Sequence, residues 1–545
     1  MRRYRPLPAV LLAVAISALV GGFFGRSALA TDDKVLQHDR AFTYALSAIQ
    51  SNYYDDKVDT ENLVTGAIRG MLGTLDPHSS YFTPKEYAQM RERQEGRYYG
   101  IGVSIVQVGE DITALVVFEG SPAYKKGIRS GDIIATVNGQ SAKGWTTEQA
   151  MHELRGPRGT RVYVEIKRRG YDQPIGVELQ RDEVYIPTVP AAFMIDAQTG
   201  YIRMQDFGEN TDHDVKKALV ELSSKGMRRL VFDIRGNPGG PLDQAIKVAN
   251  EFLPKGKMIV KTRGRIANSD QDYHATEEGE FIDMPIVLLA NRNSASASEI
   301  VTGALQDHDR AYVVGETTFG KALVQSVYRI SGNAGLALTT AHYYTPSDRL
   351  IQRPWDATFD EYLSYSLQDQ SKDRTHNPSD LKHTDAGRPV YSGGGIEPDK
   401  RVAGPIGPNN GGGFNPTRFG RMLFARQEFA RFAQTFNAEG DTRISGTSSG
   451  RRSVKPNFVV DAAMLDSFKQ QLTTDHIKID EAGFGENEEF IKAMIRFEVD
   501  VALFGVGEAW RHLIMVDPQA QAAIASFPEA QKLTELSRAT RIKAH

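Results

Sequence analysis

Two short runs carry side chains whose type and spacing can do chemistry. The first is Asn291-Arg292-Asn293-Ser294-Ala295-Ser296-Ala297-Ser298-Glu299-Ile300, which follows the apolar run 285–290 and opens a helical pattern. A serine at a helix start sits beside backbone N–H groups with no partner inside the helix, and such groups stabilise a developing oxyanion. Ser296-x-x-Glu299 is also a capping box, so the same spacing serves a purely structural role. The two roles are compatible. The second run is Gly315-Glu316-Thr317-Thr318-Phe319-Gly320-Lys321-Ala322. Read literally it is G-x-x-x-x-G-K, the shape of a phosphate-binding loop. Ala322 stands where that loop needs a hydroxyl for magnesium, and residues 323–330 read as extended rather than helical. An exported chain would also meet little ATP. A lysine among glycines and apolar residues loses hydration, which favours its neutral form and makes Lys321 a candidate base for a serine hydroxyl. Serine–lysine pairs do the work of serine–histidine pairs elsewhere.

Two other patterns carry nothing. Gly446-x-Ser448-x-Gly450 matches the nucleophile-elbow expression but has no apolar strand before it. No H-E-x-x-H occurs, so a zinc peptidase of that type has no support.

The elements around these runs must position them. Residues 230–234 and 285–290 read as strands, followed by helical patterns at 242–252 and 297–306. That alternation predicts an α/β core over 183–403. Upstream, Val35, Phe42, Ala45 and Ile49 have helical spacing within an N-terminal helical region, 31–85. Over 86–182 the pattern is short strands, with an Asn138-Gly139 turn and a capping box at Thr146-Thr147-Glu148-Gln149 opening a helix. Strands around one helix suit a small peptide-binding module. Residues 404–455, rich in Gly, Asn, Ser and Pro, read as a linker, and 456–545 are helical again. Phe490, Ile491, Met494, Phe497, Val501 and Phe504 form a broad apolar face there. It leads to the expectation of a homo-oligomer built through this region, with an intramolecular helical cap as the alternative.

At 545 residues the chain exceeds a single core, and 40% hydrophobic with 24% charged residues marks it as folded. A net charge of -3, from 65 basic and 68 acidic residues, gives no bulk attraction to nucleic acid. The absence of cysteine removes disulfides, thiolate catalysis and cysteine-ligated zinc. Residues 1–30 combine a basic start, an apolar stretch from Ala9 to Phe24 and the end Ser27-Ala28-Leu29-Ala30. This is the build of a secretory signal, and a retained membrane anchor is the alternative. Either way the working part is expected outside the cytoplasm, periplasmic or otherwise extracytoplasmic.

The run from Ser294 to Ile300, continuing into Gly303-Ala304-Leu305-Gln306-Asp307, resembles the nucleophile motif of the carboxy-terminal processing (tail-specific) serine peptidases. Gly320-Lys321-x-x-x-Gln325 resembles their base motif. The family's serine and lysine stand 25 residues apart, as here (321 − 296 = 25), and its lysine is oriented by a glutamine four positions on, here Gln325. Asp233-Ile234-Arg235-Gly236-Asn237-Pro238-Gly239-Gly240 is similar to the family's glycine loop. That likeness implies an oxyanion hole made by the N–H of Gly239 or Gly240 together with that of Ala297. Leu75-Asp76-Pro77-His78 resembles the segment ahead of the family's PDZ domain, and Glu119-Gly120-Ser121-Pro122-Ala123 with Gly131-Asp132 resembles its PDZ signature.

The likeness covers about residues 35–403. It implies an α/β serine–lysine peptidase core with an inserted PDZ domain and helical N- and C-terminal regions. Ser296 would be the nucleophile, Lys321 the base and Gln325 its orienting partner, with no metal or organic cofactor. The partners would be protein or peptide substrates with a free C-terminus. Tyr99-Gly100-Ile101-Gly102 would offer backbone N–H groups to a terminal carboxylate, and the following strand would pair with the substrate. A catalytically inactive PDZ scaffold is the competing reading. In a regular strand, residues 321 and 325 lie ~13 Å apart, so a Lys321–Gln325 contact requires a turn or bulge.

Overall fold

The structure, a computed structural model, describes residues 33–55, 57–168, 171–355, 362, 365, 376–404, 416–440 and 451–544. The expected signal or anchor at 1–30 and the Gly446-x-Ser448-x-Gly450 pattern lie outside them. The chain divides into two units between Thr83 and Pro84. In the first, helices span Asp33–Asn52 and Thr60–Gly73. Asp59 caps the second helix by accepting the Asn62 N–H at 3.1 Å. Val35, Phe42 and Ile49, whose spacing is helical, are exposed.

The second unit begins with the peptide-binding module. A sheet of six strands, in the order Val103–Val108, Asp111–Val117, Ile133–Val137, Arg161–Lys167, Ile175–Gln180 with Gln140–Ser141 beside the third, packs on the helix Thr147–Leu154. Asn138 and Gly139 both take positive φ (51° and 81°), the conformation a tight hairpin turn requires. Thr146 and Gln149 form the reciprocal capping box. Ile112, Val164, Ile166 and Leu179 fill the core between sheet and helix.

The main sheet orders Ala191–Met194, Thr199–Arg203, Arg229–Asp233, Ile286–Ala290, Ala311–Gly315 and Lys400–Arg401, antiparallel in the first pair and parallel thereafter. Its central strands are buried on both faces, which is why they read as continuous apolar runs rather than as alternation. Leu230, Phe232, Ile286 and Leu288 face the helices Thr211–Ser224, Leu242–Asn250 and Ala297–Asp307. Val231, Val287, Leu289 and Val314 face Ile514, Ala520, Ala523 and Phe527 from the C-terminal helices. Each such valine, leucine, isoleucine or phenylalanine, fully buried, contributes roughly 1.5–3 kcal/mol. The C-terminal region therefore supplies one whole face of the core.

Two expectations need correction here. Within the expected linker 404–455, residues 418–438 fold into the helices Arg418–Ala425 and Glu428–Ala433 and the strand Phe436–Ala438. Leu423, Phe429, Phe432 and Phe436 drive this by packing on Phe468 and Phe490. The composition of the stretch as a whole hid their spacing. Phe490, Ile491 and Met494 are buried in that same cluster, with Phe497 and Phe504 against it. The apolar face thus packs within its own chain, and it gives no ground for a homo-oligomer. The region also touches the peptide-binding module, where Gln434 donates to the Gly131 carbonyl and Arg129 to that of Phe436.

Candidate active site

Three neighbouring parallel strands end level with one another, Asp233 opposite Leu289 and Leu289 opposite Val314. Each is followed by one of the runs singled out above. The glycine loop follows Arg229–Asp233, the Ser296 loop follows Ile286–Ala290, and the Lys321 loop follows Ala311–Gly315. This is the end of an open α/β sheet at which ligands bind.

Ser296 sits on the turn into the helix Ala297–Asp307 with φ 56° and ψ −115°. A non-glycine residue held there stores roughly 1–3 kcal/mol of strain, which the surroundings must enforce. The Ser296 hydroxyl lies near the Glu299 N–H, as in a capping box, but that N–H bonds the Ser296 carbonyl at 2.8 Å. In return the Ser296 N–H donates to Glu299 Oε2 at 2.9 Å.

Glu299 binds the two loops together. It is fully buried, and its Oε2 also accepts the Lys321 N–H at 2.9 Å. Its Oε1 accepts the Thr318 hydroxyl at 2.5 Å and the Gly320 N–H at 2.7 Å. Burial pushes its carboxyl up to about 7, against the pull of these four donors. Tyr343 adds a second link, with its hydroxyl 3.0 Å from the Ser296 carbonyl and 2.5 Å from that of Lys321. The buried pair Arg292–Glu316 and the bond from Phe319 N–H to Ser294 O (3.0 Å) complete the fastening.

Lys321 Nζ donates to Gln325 Oε1 at 3.0 Å. The contact forms because the strand begins only at Leu323 and carries a register shift between Val324 and Gln325. Among the described residues, no hydrogen bond joins Lys321 Nζ to Ser296 Oγ, and none is drawn by the N–H of Ala297 or Gly240. The N–H of Gly239 is used internally, donating to Asn237 Oδ1 at 2.9 Å. Gly239 instead provides close approach. With φ +93°, a Cβ on it would lie 2.6 Å from Ala295 O and 2.8 Å from both Ala297 N and Ser296 Cβ. Among the described residues no group of three or more His, Asp or Glu converges as a metal site would.

In the peptide-binding module, Tyr99 and Gly100 lie on the strand Arg97–Gly100, paired with Glu183 and Asp182. Tyr99 is 48% exposed. Ile101 and Gly102 form the turn that follows. Gly102 has φ +85°, and a Cβ there would lie 2.1 Å from Ser121 Cβ. The N–H groups of Gly102 and Val103 face the hydroxyl of Tyr98, whose buried phenol is pushed up to about 12. Arg155 covers that ring at 4.6 Å.

Sequence reasoning missed Tyr343, Asn237 and the bridging role of Glu299. Glu299 and Asn237 stood inside quoted motifs, whereas nothing near Tyr343 marked it.

Comparison with known proteins places these elements among relatives. Residues 198–357 match the model of peptidase family S41, residues 89–167 that of the PDZ domain, and residues 27–85 that of the activating protease CtpB N-terminal domain. The carboxy-terminal-processing protease of Bartonella bacilliformis is 40% identical over 299 residues, 54% of this chain and 68% of that protein. The carboxy-terminal processing protease CtpA of Bacillus subtilis is 33% identical over 348 residues, 63% of this chain and 74% of that protein. Among solved structures, the photosystem II D1 C-terminal processing protease matches with 31% identity and a TM-score of 0.33, covering 56% of this chain and 83% of its own.

Proposed function

The chain belongs to peptidase family S41, the carboxy-terminal-processing serine proteases, and from that premise we propose that it cuts protein substrates near their C-terminal tails by a serine–lysine mechanism. Ser296 Oγ attacks the scissile carbonyl carbon, and neutral Lys321 takes the hydroxyl proton. The carbonyl oxygen, now negative, sits between the N–H groups of Ala297 and Gly240. Collapse of this intermediate expels the amine, which Lys321 protonates, and water then hydrolyses the Ser296 ester by the same steps. Gln325, accepting from Nζ at 3.0 Å, orients the base.

The observation that carries this reading is the level ending of three adjacent strands, with Glu299 accepting from the backbone of both Ser296 and Lys321. Such a link fixes the two loops through their backbone N–H groups. The PDZ module would hold the substrate as an added strand along Val103–Val108, its terminal carboxylate at Ile101 and Gly102. The pattern of residues 1–30 supports export to a periplasmic or other extracytoplasmic site, with a membrane tether if that segment is retained.

Tail reading is tested by supplying one peptide with a free or an amidated C-terminus. The free acid is cleaved at least about tenfold faster at limiting concentration, given roughly 1.5–3 kcal/mol for each hydrogen bond to a charged group. Equal rates would show that the terminus is not read.

A further inference from the structure

The C-terminal helices lie outside the segment matching the peptidase family, yet they supply buried polar partners to the glycine loop. Arg235 opens that loop and is 8% exposed. Its Nε and Nη2 reach Asp233 at 3.0 and 2.6 Å. Its Nη1 reaches Asp517 Oδ2 at 2.6 Å and Gln519 Oε1 at 2.9 Å. Asp517 and Gln519 are 5% and 2% exposed. Both are held from their own side. Asp517 Oδ1 accepts the first N–H groups of the helix Pro518–Ala525, and Gln519 Nε2 donates to the Val402 carbonyl at 2.8 Å.

Charge balance gives this contact its weight. Asp233 is shared by Arg235, Arg203 at 3.2 Å and the Tyr201 hydroxyl at 2.7 Å. Two guanidinium groups thus face one carboxylate in a buried cluster, and Asp517 is the second anion that neutralises it. A buried charge stripped of its partner relaxes by moving or drawing in water. The chain runs from Arg235 straight into the residues that face Ser296. Gly236 N–H bonds Asn291 at 2.9 Å, and the Asn237 carbonyl accepts the Ala295 N–H at 3.0 Å. Movement of Arg235 is therefore passed to the spacing between Gly240 and Ala297.

We propose that Asp517, assisted by Gln519, is a positioning residue for peptide hydrolysis. It clamps Arg235 and so holds the glycine loop at the spacing the oxyanion needs, making the C-terminal region part of the active site's support. The inference rests on the peptidase reading above. The test uses full-length Asp517→Asn and Gln519→Ala; asparagine still caps the helix. Three quantities are measured on each: kcat and KM for a cleavable peptide, affinity for a peptide aldehyde that forms an oxyanion adduct on Ser296, and affinity for an uncleaved tail peptide. We expect kcat and kcat/KM to fall together, by about tenfold or more in Asp517→Asn, part of the 10²–10³ that loss of a whole oxyanion donor costs. Aldehyde affinity falls in step, while KM and tail affinity hold. Unchanged or raised kcat and aldehyde affinity in both variants would overturn the proposal, as would a loss of kcat that tracks only the folded fraction. Absence of Ser296-dependent cleavage by the wild type would instead overturn the reading beneath it.

Discussion

Glu299→Gln perturbs the site at the point where its two loops join. The carboxylate takes four donors, the Thr318 hydroxyl and Gly320 N–H on Oε1 and the Ser296 and Lys321 N–H groups on Oε2. Glutamine keeps the shape but offers one oxygen and one NH2. With NH2 toward Thr318, the hydroxyl can turn to accept it, but the Gly320 N–H is orphaned. With NH2 toward Ser296 and Lys321, two N–H groups are orphaned. A buried donor left unsatisfied costs about 1–3 kcal/mol, a local loss that relief of the buried charge offsets in the stability of the whole chain above pH 7. The loss falls on the loop that carries Lys321, and kcat/KM should drop at least about tenfold.

The pH dependence has a definite sign. The Glu299 carboxyl in the folded chain, at about 7, lies above its ordinary 4.5, so the fold favours its neutral form. That stabilisation is full below 4.5 and is lost as pH rises through 7. Activity runs the other way, because only the carboxylate accepts all four donors. Denaturant unfolding and steady-state kinetics from pH 4.5 to 8 on both proteins measure this. The variant should lose the fall in stability over that window. Wild-type kcat/KM in the variant, or an unaltered pH dependence of unfolding, would refute the bridging role.

Gly239→Ala forces a Cβ to within 2.6–2.8 Å of Ala295 O, Ala297 N and Ser296 Cβ at φ +93°. The Ala297 N–H must retreat, and kcat should fall about 10²-fold with tail-peptide binding intact by calorimetric titration. Lys321→Arg should be inactive at every pH in an initial-rate profile, because guanidinium keeps its proton and cannot take that of Ser296. Gly102→Val places a Cβ 2.1 Å from Ser121 Cβ, and binding of a free-acid tail peptide should weaken at least about tenfold by fluorescence anisotropy.

What the sequence made legible is what local chemistry determines. Residues 230–232 and 285–290 are apolar without alternation because both faces of their sheet are covered, and the Ser296 and Lys321 runs are contiguous. The resemblance implied that Lys321 meets Gln325, strand geometry then required a turn or bulge there, and the register shift beside Gln325 meets it. What stayed hidden depends on distant pairing. Tyr343 reaches Ser296 across 47 residues, and Gln519 reaches Arg235 across 284. No periodicity encodes such contacts. The apolar face from Phe490 to Phe504 was legible as a face, but its partners, Phe429 and Phe468, were not, since the first lay in a stretch whose composition read as linker. Tyr99 and Gly100 looked like part of the carboxylate loop because their pairing with Glu183 and Asp182 spans the whole module.

The central claim is that Ser296 and Lys321 together hydrolyse peptide bonds near a substrate's C-terminus. Mass spectrometry of the C-termini released from a model protein with an unstructured tail tests it most directly, using wild type, Ser296→Ala and Lys321→Ala at matched folded concentration. New C-termini clustered near the tail are expected with wild type, and none above background with either variant. The same termini produced by folded Ser296→Ala would contradict it.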